Sequence, residues 1–558
     1  MVLLAKKKFK NINTGIIIAI MLLGVLIVAP IAQLIISSVH IEGETDILAP
    51  IKVILSSNLM ETYSNTIFLG VCVVIGASIV AVPVAFLMAK TELGKHRWID
   101  TVLIIPFMTP PYIGSMGWIL FFQSRGFLNQ IFPFTEGINK LFFSVGGLII
   151  VMSLHIFPFL YLIIKNSLLN ISENFEEAGA IHGGGWFYRL RKVTAPLLFS
   201  SYVMGSLLVF VKTISEFGTP ATLGRRIGFY VLTSEIHRFI SSWPISFSKA
   251  NSLASVLLTT CICFLYIQNV ISNKYSYKTL NGKGQRKNIK SFGVMGKICG
   301  WVYIIFIMGI SIGIPYFSII MTSLLKLRGY GLKVENFTLM NYLKLFKAGS
   351  QSLNAFLNSL EIAVLTATIC AIIGTFLAIF IMKNNGLLNK IIDILSLLPN
   401  TIPSIVLVIG LILFWNAPWM KIRIYNTYCM VVLTYVVLFI PYTVQYVKSC
   451  FGQIDDSLLK AGRVCGGSEL YVARRVLIPL IMPGIFAGWI MTFTIAFREL
   501  VAALMILPPS METSSTYIFG QFEQGEASMG MAMAVVSVGI TVFILIALNK
   551  LLDLNRQE

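Results

Sequence analysis

Charge is scarce in this 558-residue chain: 12% of its residues are Asp, Glu, Lys or Arg, and only 24 are acidic. A soluble domain carries about a quarter charged residues, so a water-facing surface of ordinary extent is excluded. Cysteine is sparse too, eight in all and mostly inside apolar segments, which excludes a disulfide framework. Cys261 and Cys263, two apart, do not share a helical face, so no metal site is expected there. The five His are isolated, without a His-Glu-x-x-His run or a Ser-His-Asp arrangement, and His155, within an apolar segment, reads as a helix-packing residue. Gly94-Lys95 is followed by His96 rather than Ser or Thr, and no Gly-x-x-x-x-Gly-Lys run exists to cradle phosphates. The chain therefore hydrolyses no ATP by that route, and no enzymatic chemistry is expected of it.

What is abundant is apolar sequence. Hydrophobic residues make up 56% of the chain, and the mean hydropathy is +0.82. A hydrocarbon core of about 30 Å takes about 20 helical residues per crossing. Segments of that length lie near 15–39, 64–89, 99–123, 144–168, 197–220 and 250–272, and again near 298–322, 355–382, 391–415, 427–449, 480–506 and 529–550. The backbone must satisfy its own hydrogen bonds in lipid, so these are helices, six plus six. The expected fold is an all-α polytopic membrane protein. Residues 1–275 form a first half, 276–297 a basic linker and 298–558 a second half.

The first segment follows basic residues as a signal peptide does. Its apolar run is longer than the about 7–15 residues of such a peptide and lacks a clear small-residue cleavage site, so it is read as a retained helix. Positive residues in short loops stay on the cytoplasmic side. Lys6, Lys7, Lys8 and Lys10 precede the first span, Lys90, Lys95 and Arg97 follow the second, and Asn273 to Lys297 holds seven basic residues and no acidic one. The N-terminus and linker are thus expected in the cytoplasm. The net charge of +19 is spread over these loops, which fits topology and anionic membrane lipid rather than nucleic acid.

Two loops on that same side repeat each other at an offset of 283. Glu177-Ala178-Gly179, Gly183, Gly184 and Pro196 in the first correspond to Lys460-Ala461-Gly462, Gly466, Gly467 and Pro479 in the second. In the first, Ser172 is placed to cap a short helix from Asn170 to Ala180, with Glu173, Glu176 and Glu177 near its positive end. Glycines at 183 to 185 allow a sharp turn. A second short helix, Trp186 to Val193, then leads to Pro196 in the first turn of the next span. The product is a helix-turn-helix with an apolar edge for a partner groove. Further pairs support a duplication: Pro158 with Pro441 and Glu216 with Glu499 at the same offset, Pro106 with Pro399 and Pro110 with Pro403 at 293. Two such halves enclose a path on a pseudo-two-fold axis.

On these residues the chain resembles the membrane subunits of binding-protein-dependent importers of the ATP-binding cassette superfamily, of the type I (MetI-like) permease fold. Their loop signature is Glu-Ala-Ala, three residues, Gly, and a Pro twelve or thirteen residues on. EEAGAIHGGGWFYRLRKVTAP matches it with Gly179 in the third place, and KAGRVCGGSELYVARRVLIP matches it except for Lys460 in place of Glu. The resemblance covers essentially the whole chain. It implies that the loops, about 170–196 and 453–479, are coupling helices that insert into two copies of a cytoplasmic ATPase. ATP and Mg would be bound there and no cofactor by this chain, and cargo would come from an extracytoplasmic binding protein at a bacterial inner membrane. Lys460 implies asymmetric coupling unless Asp455 and Asp456, a turn earlier, supply the charge; a simple solvated acidic turn is the other reading.

The segments Ile214 to Pro220, Phe497-Arg498-Glu499-Leu500 and Phe229 to Ile236 resemble ferric-iron permeases in particular, with thiamine, phosphonate and polyamine importers as alternatives. Intramembrane charges mark a pathway or a paired site. Glu216, Glu499 and Arg498 are accordingly the pathway candidates, two carboxylates suiting a hard trivalent cation. Pairing of Glu216 with Lys212, and of Glu499 with Arg498 or a cross-helix partner, is the alternative. A secondary transporter of duplicated topology is the competing architecture.

Overall fold

The computed structural model describes residues 14–41, 44–56, 59–135, 137–274, 293–383 and 386–554. Lys6, Lys7, Lys8 and Lys10 and most of the basic linker lie outside the described residues. Ten helices are long and apolar enough to cross a membrane: Gly15–Val39, Leu59–Lys90, Val145–Asn170, Trp186–Ile214, Phe247–Ile271, Val294–Ser323, Gln351–Met382, Tyr428–Phe451, Ala473–Ala496 and Ala527–Ile544. Two further pairs, Arg97–Met108 with Pro111–Ile131 and Leu387–Asn400 with Ser404–Trp415, qualify together but are bent by 92° and 108°. Strand is confined, among the described residues, to a two-residue hairpin of His40–Ile41 with Glu44–Thr45 and one isolated bridge, Leu325 with Phe337.

The bent pairs are where the third segment of each half was expected as one straight helix. Each bend falls at a proline with the same backbone, Pro110 at φ −55°, ψ 131° and Pro403 at φ −54°, ψ 131°. The ring removes a donor and disfavours helix at the residue before it, so the helix stops and restarts. In the first half Asp100 at its start meets Lys165 near the end of the fourth span at 2.5 Å. At its other end Phe122 stacks on Phe142, just before the fourth span begins, with centroids 4.4 Å apart. If each bent pair is one span, as its antiparallel run along a full span favours, the described residues hold twelve spans; without them, ten.

The fifth segments also end earlier than expected. Their helices stop at Ile214 and Ala496, leaving 215–220 and 497–506 as a break and a short following helix. At the other end they begin earlier, because the short helix expected at Trp186 to Val193 is continuous with the fifth span. Five-residue π segments, Leu190–Thr194 and Ala473–Leu477, bridge the join just before Pro196 and Pro479. A proline cannot donate to the helix ladder, and a local π turn is a common adjustment. The second half's first helix likewise begins at Val294, inside what the sequence suggested as linker.

The halves exchange their first spans. Ala29–Val39 of the first packs along Ser404–Trp415 of the second, and Ile314–Ser323 of the second along Pro111–Phe122 of the first. Both crossings rest on a glycine. A Cβ on Gly117 would stand 2.6 Å from the Pro315 carbonyl oxygen, and one on Gly410 2.8 Å from that of Pro30. Close backbone approach is how helices associate where lipid offers no hydrophobic gain. Tyr112, Met116, Ile405 and Leu411 join one continuous core that runs through both halves.

Candidate functional site

The two repeated loops have one geometry. Helices Glu173–Ile181 and Asp456–Val464, nine residues each, end in left-handed glycines, Gly183 at φ 79° and Gly466 at φ 85°. Gly184 N–H donates to Gly179 O (2.9 Å) and Gly183 N–H to Ala180 O (2.9 Å); Gly467 donates to Gly462 O (3.1 Å) and Gly466 to Arg463 O (3.0 Å). This is the Schellman pattern, which satisfies carbonyls of the last helical turn that would otherwise lack a partner. Nothing lies within 4 Å of a Cβ on Gly183 or Gly466, so the positive φ is what requires glycine there. Gly184 and Gly467 are required by space, each Cβ falling 2.7 Å from the carbonyl five residues back. Gly179 and Gly462 let the short helix lie against Arg189 and Val472.

The signature positions Glu177 and Lys460, with Ala178 and Ala461, are exposed. So are apolar side chains around them, Ile181 and Val464 at more than four-fifths of their surface, with Phe187 and Tyr471. Asp455 is no loose acidic turn. It is the N-cap of its helix, accepting the Ser457 N–H at 2.8 Å, and this bond holds its carboxyl below the usual range. The loops differ in how they are anchored. Glu176 is buried and pairs with buried Lys90 at the end of the second span (3.1 Å), with the Thr194 hydroxyl donating to the same oxygen (3.4 Å). At the matching position of the second loop stands Leu459, packed against a small apolar cluster around Phe451 and Leu477.

At the breaks after the fifth spans, Glu216 and Glu499 occupy equivalent places. Glu216 accepts the Thr219 N–H (3.0 Å) and Glu499 the Ala502 N–H (3.1 Å), each capping the short helix that follows. Among the described residues neither forms an ion pair, so the expected pairings with Lys212 and Arg498 do not form. Their backbone carbonyls accept Thr233 Oγ1 (2.8 Å) and Ser515 Oγ (2.5 Å). Those residues belong to a clasp that sequence reasoning missed. Asn65 donates to Tyr230 O and Thr66 accepts from Leu232 N; Asn358 donates to Glu512 O and Ser359 accepts from Ser514 N. Missed as well was the pair Asp393 with Lys448, the second-half partner of Asp100 with Lys165. The clasp and ion pairs keep the 283 and 293 offsets to within one residue, which is the signal that would have found them.

Between the halves lies a cavity of about 230 Å³, walled by Lys212 and Ser215, by the proline break at 399–404, and by Tyr442 and Glu499. A second, about 20 Å³, has Thr109, His155, Thr219 and Tyr316 among apolar neighbours such as Trp118, Val151 and Leu154, so His155 borders a small mixed chamber as well as packing. It has room for about one water. Arg498 is within electrostatic reach of Tyr442 and Glu499 of the larger cavity and of Tyr316 and His155 of the smaller. Among the described residues no three His, Cys, Asp or Glu side chains come together as a metal site.

The family model described as binding-protein-dependent transport system inner membrane component matches residues 81–277 and again 370–556. The chain belongs to this family. It is a permease in two fused copies. The ferric transport system permease protein FbpB of Actinobacillus pleuropneumoniae is 24% identical over 547 residues, 95% of this chain and 76% of that protein. The Fe(3+)-transport system permease protein FbpB 2 of Haemophilus influenzae is 24% identical over 90% of this chain and 92% of its own length. The spermidine/putrescine transport system permease protein PotC of Escherichia coli is 25% identical, but over 42% of this chain. The larger cavity borders the proline break at 399–404, and the smaller one borders Pro106, Thr109 and Pro111 of the other break together with Pro315 and Tyr316 of an exchanged span.

Proposed function

We propose that this permease forms the translocation path of an ATP-driven importer of ferric iron, taking cargo from an extracytoplasmic binding protein. Two copies of an ATPase subunit dock on the loops at 170–196 and 453–479, which face the cytoplasm with the N-terminus. The observation that carries the coupling is the identical Schellman geometry of both loops beneath exposed apolar side chains, a preformed helix face of the kind that seats in a groove. ATP binding draws the subunits and both loops together, and the exchanged first spans transmit that motion to both halves; the path switches between inward and outward access. ATP and Mg sit on the partner, and this chain makes and breaks no bond. Support for iron is the likeness to ferric permeases over nearly the whole chain. The polyamine likeness, confined to under half of it, supports a second reading in which the same architecture carries a polyamine.

Reconstitution with the cognate ATPase and binding protein tests this. Uptake of radiolabelled ferric iron in preference to thiamine, a phosphonate and spermidine is expected. Preferential uptake of an organic solute refutes iron while leaving the architecture standing.

A further inference from the structure

On the side of the two loops, a groove opens between the second span and the first helix of the second half. Its deep part is a cavity of about 490 Å³, lined by Pro83, Phe86 and Leu87 of Leu59–Lys90, by Trp186, and by Gly300 and Tyr303 of Val294–Ser323. Its shallow part, about 80 Å³, shares Leu87 and Gly296 with the deep one and adds Thr91, Glu92, His96 and Lys297. Polarity is graded along it. Thr91 and Glu92 follow the last residue of the second span and Lys297 stands near the start of the other helix, so the shallow part lies at the membrane surface. There Lys297 pairs with Glu92 at 2.6 Å, both partly exposed. Trp98 stacks on Trp301 beside them, centroids 6.3 Å apart, and tryptophan is the residue of membrane interfaces. Tyr303 is six residues beyond Lys297, about 9 Å deeper along the helix, its hydroxyl donating to Ile79 O (3.4 Å). The walls between are apolar, with Phe86 meeting Trp186 edge to face at 6.1 Å.

The repeat explains why space is left here. At the 293 offset Phe376 and Phe380 stand in place of Pro83 and Leu87, packed edge to face. Gly15 answers to Gly300 at the 285 offset that relates Pro30 to Pro315, and the Phe380 ring lies against it. Gly300 instead faces Leu93 and the smaller Leu87. Glu469 and Ala473 replace Trp186 and Leu190 at 283. The second half fills with its own rings what the first half leaves open.

A recess between two membrane-spanning helices is reached laterally through the bilayer, so its occupant is drawn from the leaflet. We infer that the groove binds one phospholipid of the leaflet on the side of the loops, an acyl chain lying along Phe86, Trp186 and Tyr303 and the headgroup phosphate on Lys297. Basic side chains between helices at the membrane surface hold phosphate-bearing headgroups in this way. Trp186 opens the helix that leaves the first loop, so the lipid braces that loop and not the second, which adds to the asymmetry of Lys90 with Glu176. The site stands whichever cargo is carried.

Native mass spectrometry of the full chain, after detergent exchange has stripped loosely held lipid, tests this. One phospholipid per chain should survive on the unmodified protein. Leu87→Phe, which copies the second half, should lower its occupancy about tenfold. Ile372→Phe, at an exposed position of the counterpart span, should leave it unchanged. Lys297→Gln should let diacylglycerol compete, because the phosphate then lacks its cation. No retained lipid, retention of a phosphorus-free amphiphile alone, or equal occupancy in Leu87→Phe overturns the inference. Should Leu87→Phe fail to insert, quenching of Trp186 by bromo-acyl phospholipid, read as the difference between the unmodified chain and Trp186→Phe, decides the matter. Quenching that saturates at a single lipid per chain upholds the site, and quenching that rises in proportion to lipid content overturns it.

Discussion

Replacing Gly117 or Gly410 with alanine strikes the contact that joins the exchanged spans. The added methyl carbon at 117 falls 2.6 Å from the Pro315 carbonyl oxygen and 2.8 Å from its Cα, and at 410 it falls 2.8 Å from the Pro30 carbonyl oxygen. A carbon and a carbonyl oxygen rest at about 3.3–3.6 Å even in a favourable contact, so the helices must part by roughly half an ångström or more. The obstacle is backbone, which cannot swing aside as a side chain does. Overpacking of this kind costs about 1–3 kcal/mol. The two sites lie in separate crossings, and their effects should add. Gly114, on the same helix as Gly117, has nothing within 4 Å of its Cβ and supplies the control. Alanine there should be neutral or stabilise by up to about 1 kcal/mol through helix propensity. Denaturation of the detergent-solubilised chain, followed by the monodisperse fraction, measures all three variants. Gly117→Ala and Gly410→Ala should lose stability singly and roughly twice over together, with Gly114→Ala at or above the unmodified chain. Equal stability of all variants refutes the close crossing and with it the exchange of spans.

Alanine at Gly183 or Gly466 forces an L-residue into the left-handed region at a cost of about 1–2 kcal/mol, distorting one loop. Cargo uptake per ATP should fall in both, whereas Gly185→Ala, at φ −58° with open space around its Cβ, should transport normally. Lys90→Met alone leaves the Glu176 carboxylate buried without its cation, a loss of about 3–5 kcal/mol. Lys90→Met with Glu176→Leu imitates the apolar anchor at Leu459 and should recover most of it, as thermal unfolding would report. The Ser457 N–H holds the Asp455 carboxyl low, so its cap is fully effective above the ordinary carboxyl range near about pH 4 and is lost as pH falls through the lower folded value. Hydrogen exchange in Asp456–Val464, corrected for intrinsic rate, should accelerate in that window, and Asp455→Asn, whose amide caps without titrating, should abolish that acceleration.

How far the fold could be read from sequence follows from what each signal encodes. Apolar length marks a membrane segment whether or not the helix is straight, so the ten full-length helices and the two bent pairs were legible while the bends at Pro110 and Pro403 were not. Loop spacing disclosed Gly183 and Gly466 because positive φ leaves glycine as the one comfortable residue. The exchange of first spans had no local signature: Gly117 and Gly410 look like ordinary interior glycines until Pro315 and Pro30 arrive from the other half. Glu216 and Glu499 were found by symmetry, but their capping role depends on helix ends that hydropathy placed several residues too late. Anchoring by Lys90 and Glu176 was invisible because the partners are 86 residues apart and have no counterpart pair in the second loop.

The most direct test of an ATP-driven, loop-coupled permease is iron uptake into proteoliposomes bearing the cognate ATPase, with binding protein outside, ATP enclosed or omitted, and ionophores present to abolish ion gradients. Uptake that requires enclosed ATP, persists with ionophores, and is lost in the Gly183→Val, Gly466→Val double variant is the predicted result. Uptake without the ATPase that collapses with the ion gradient would contradict the account and show an ion-driven carrier instead.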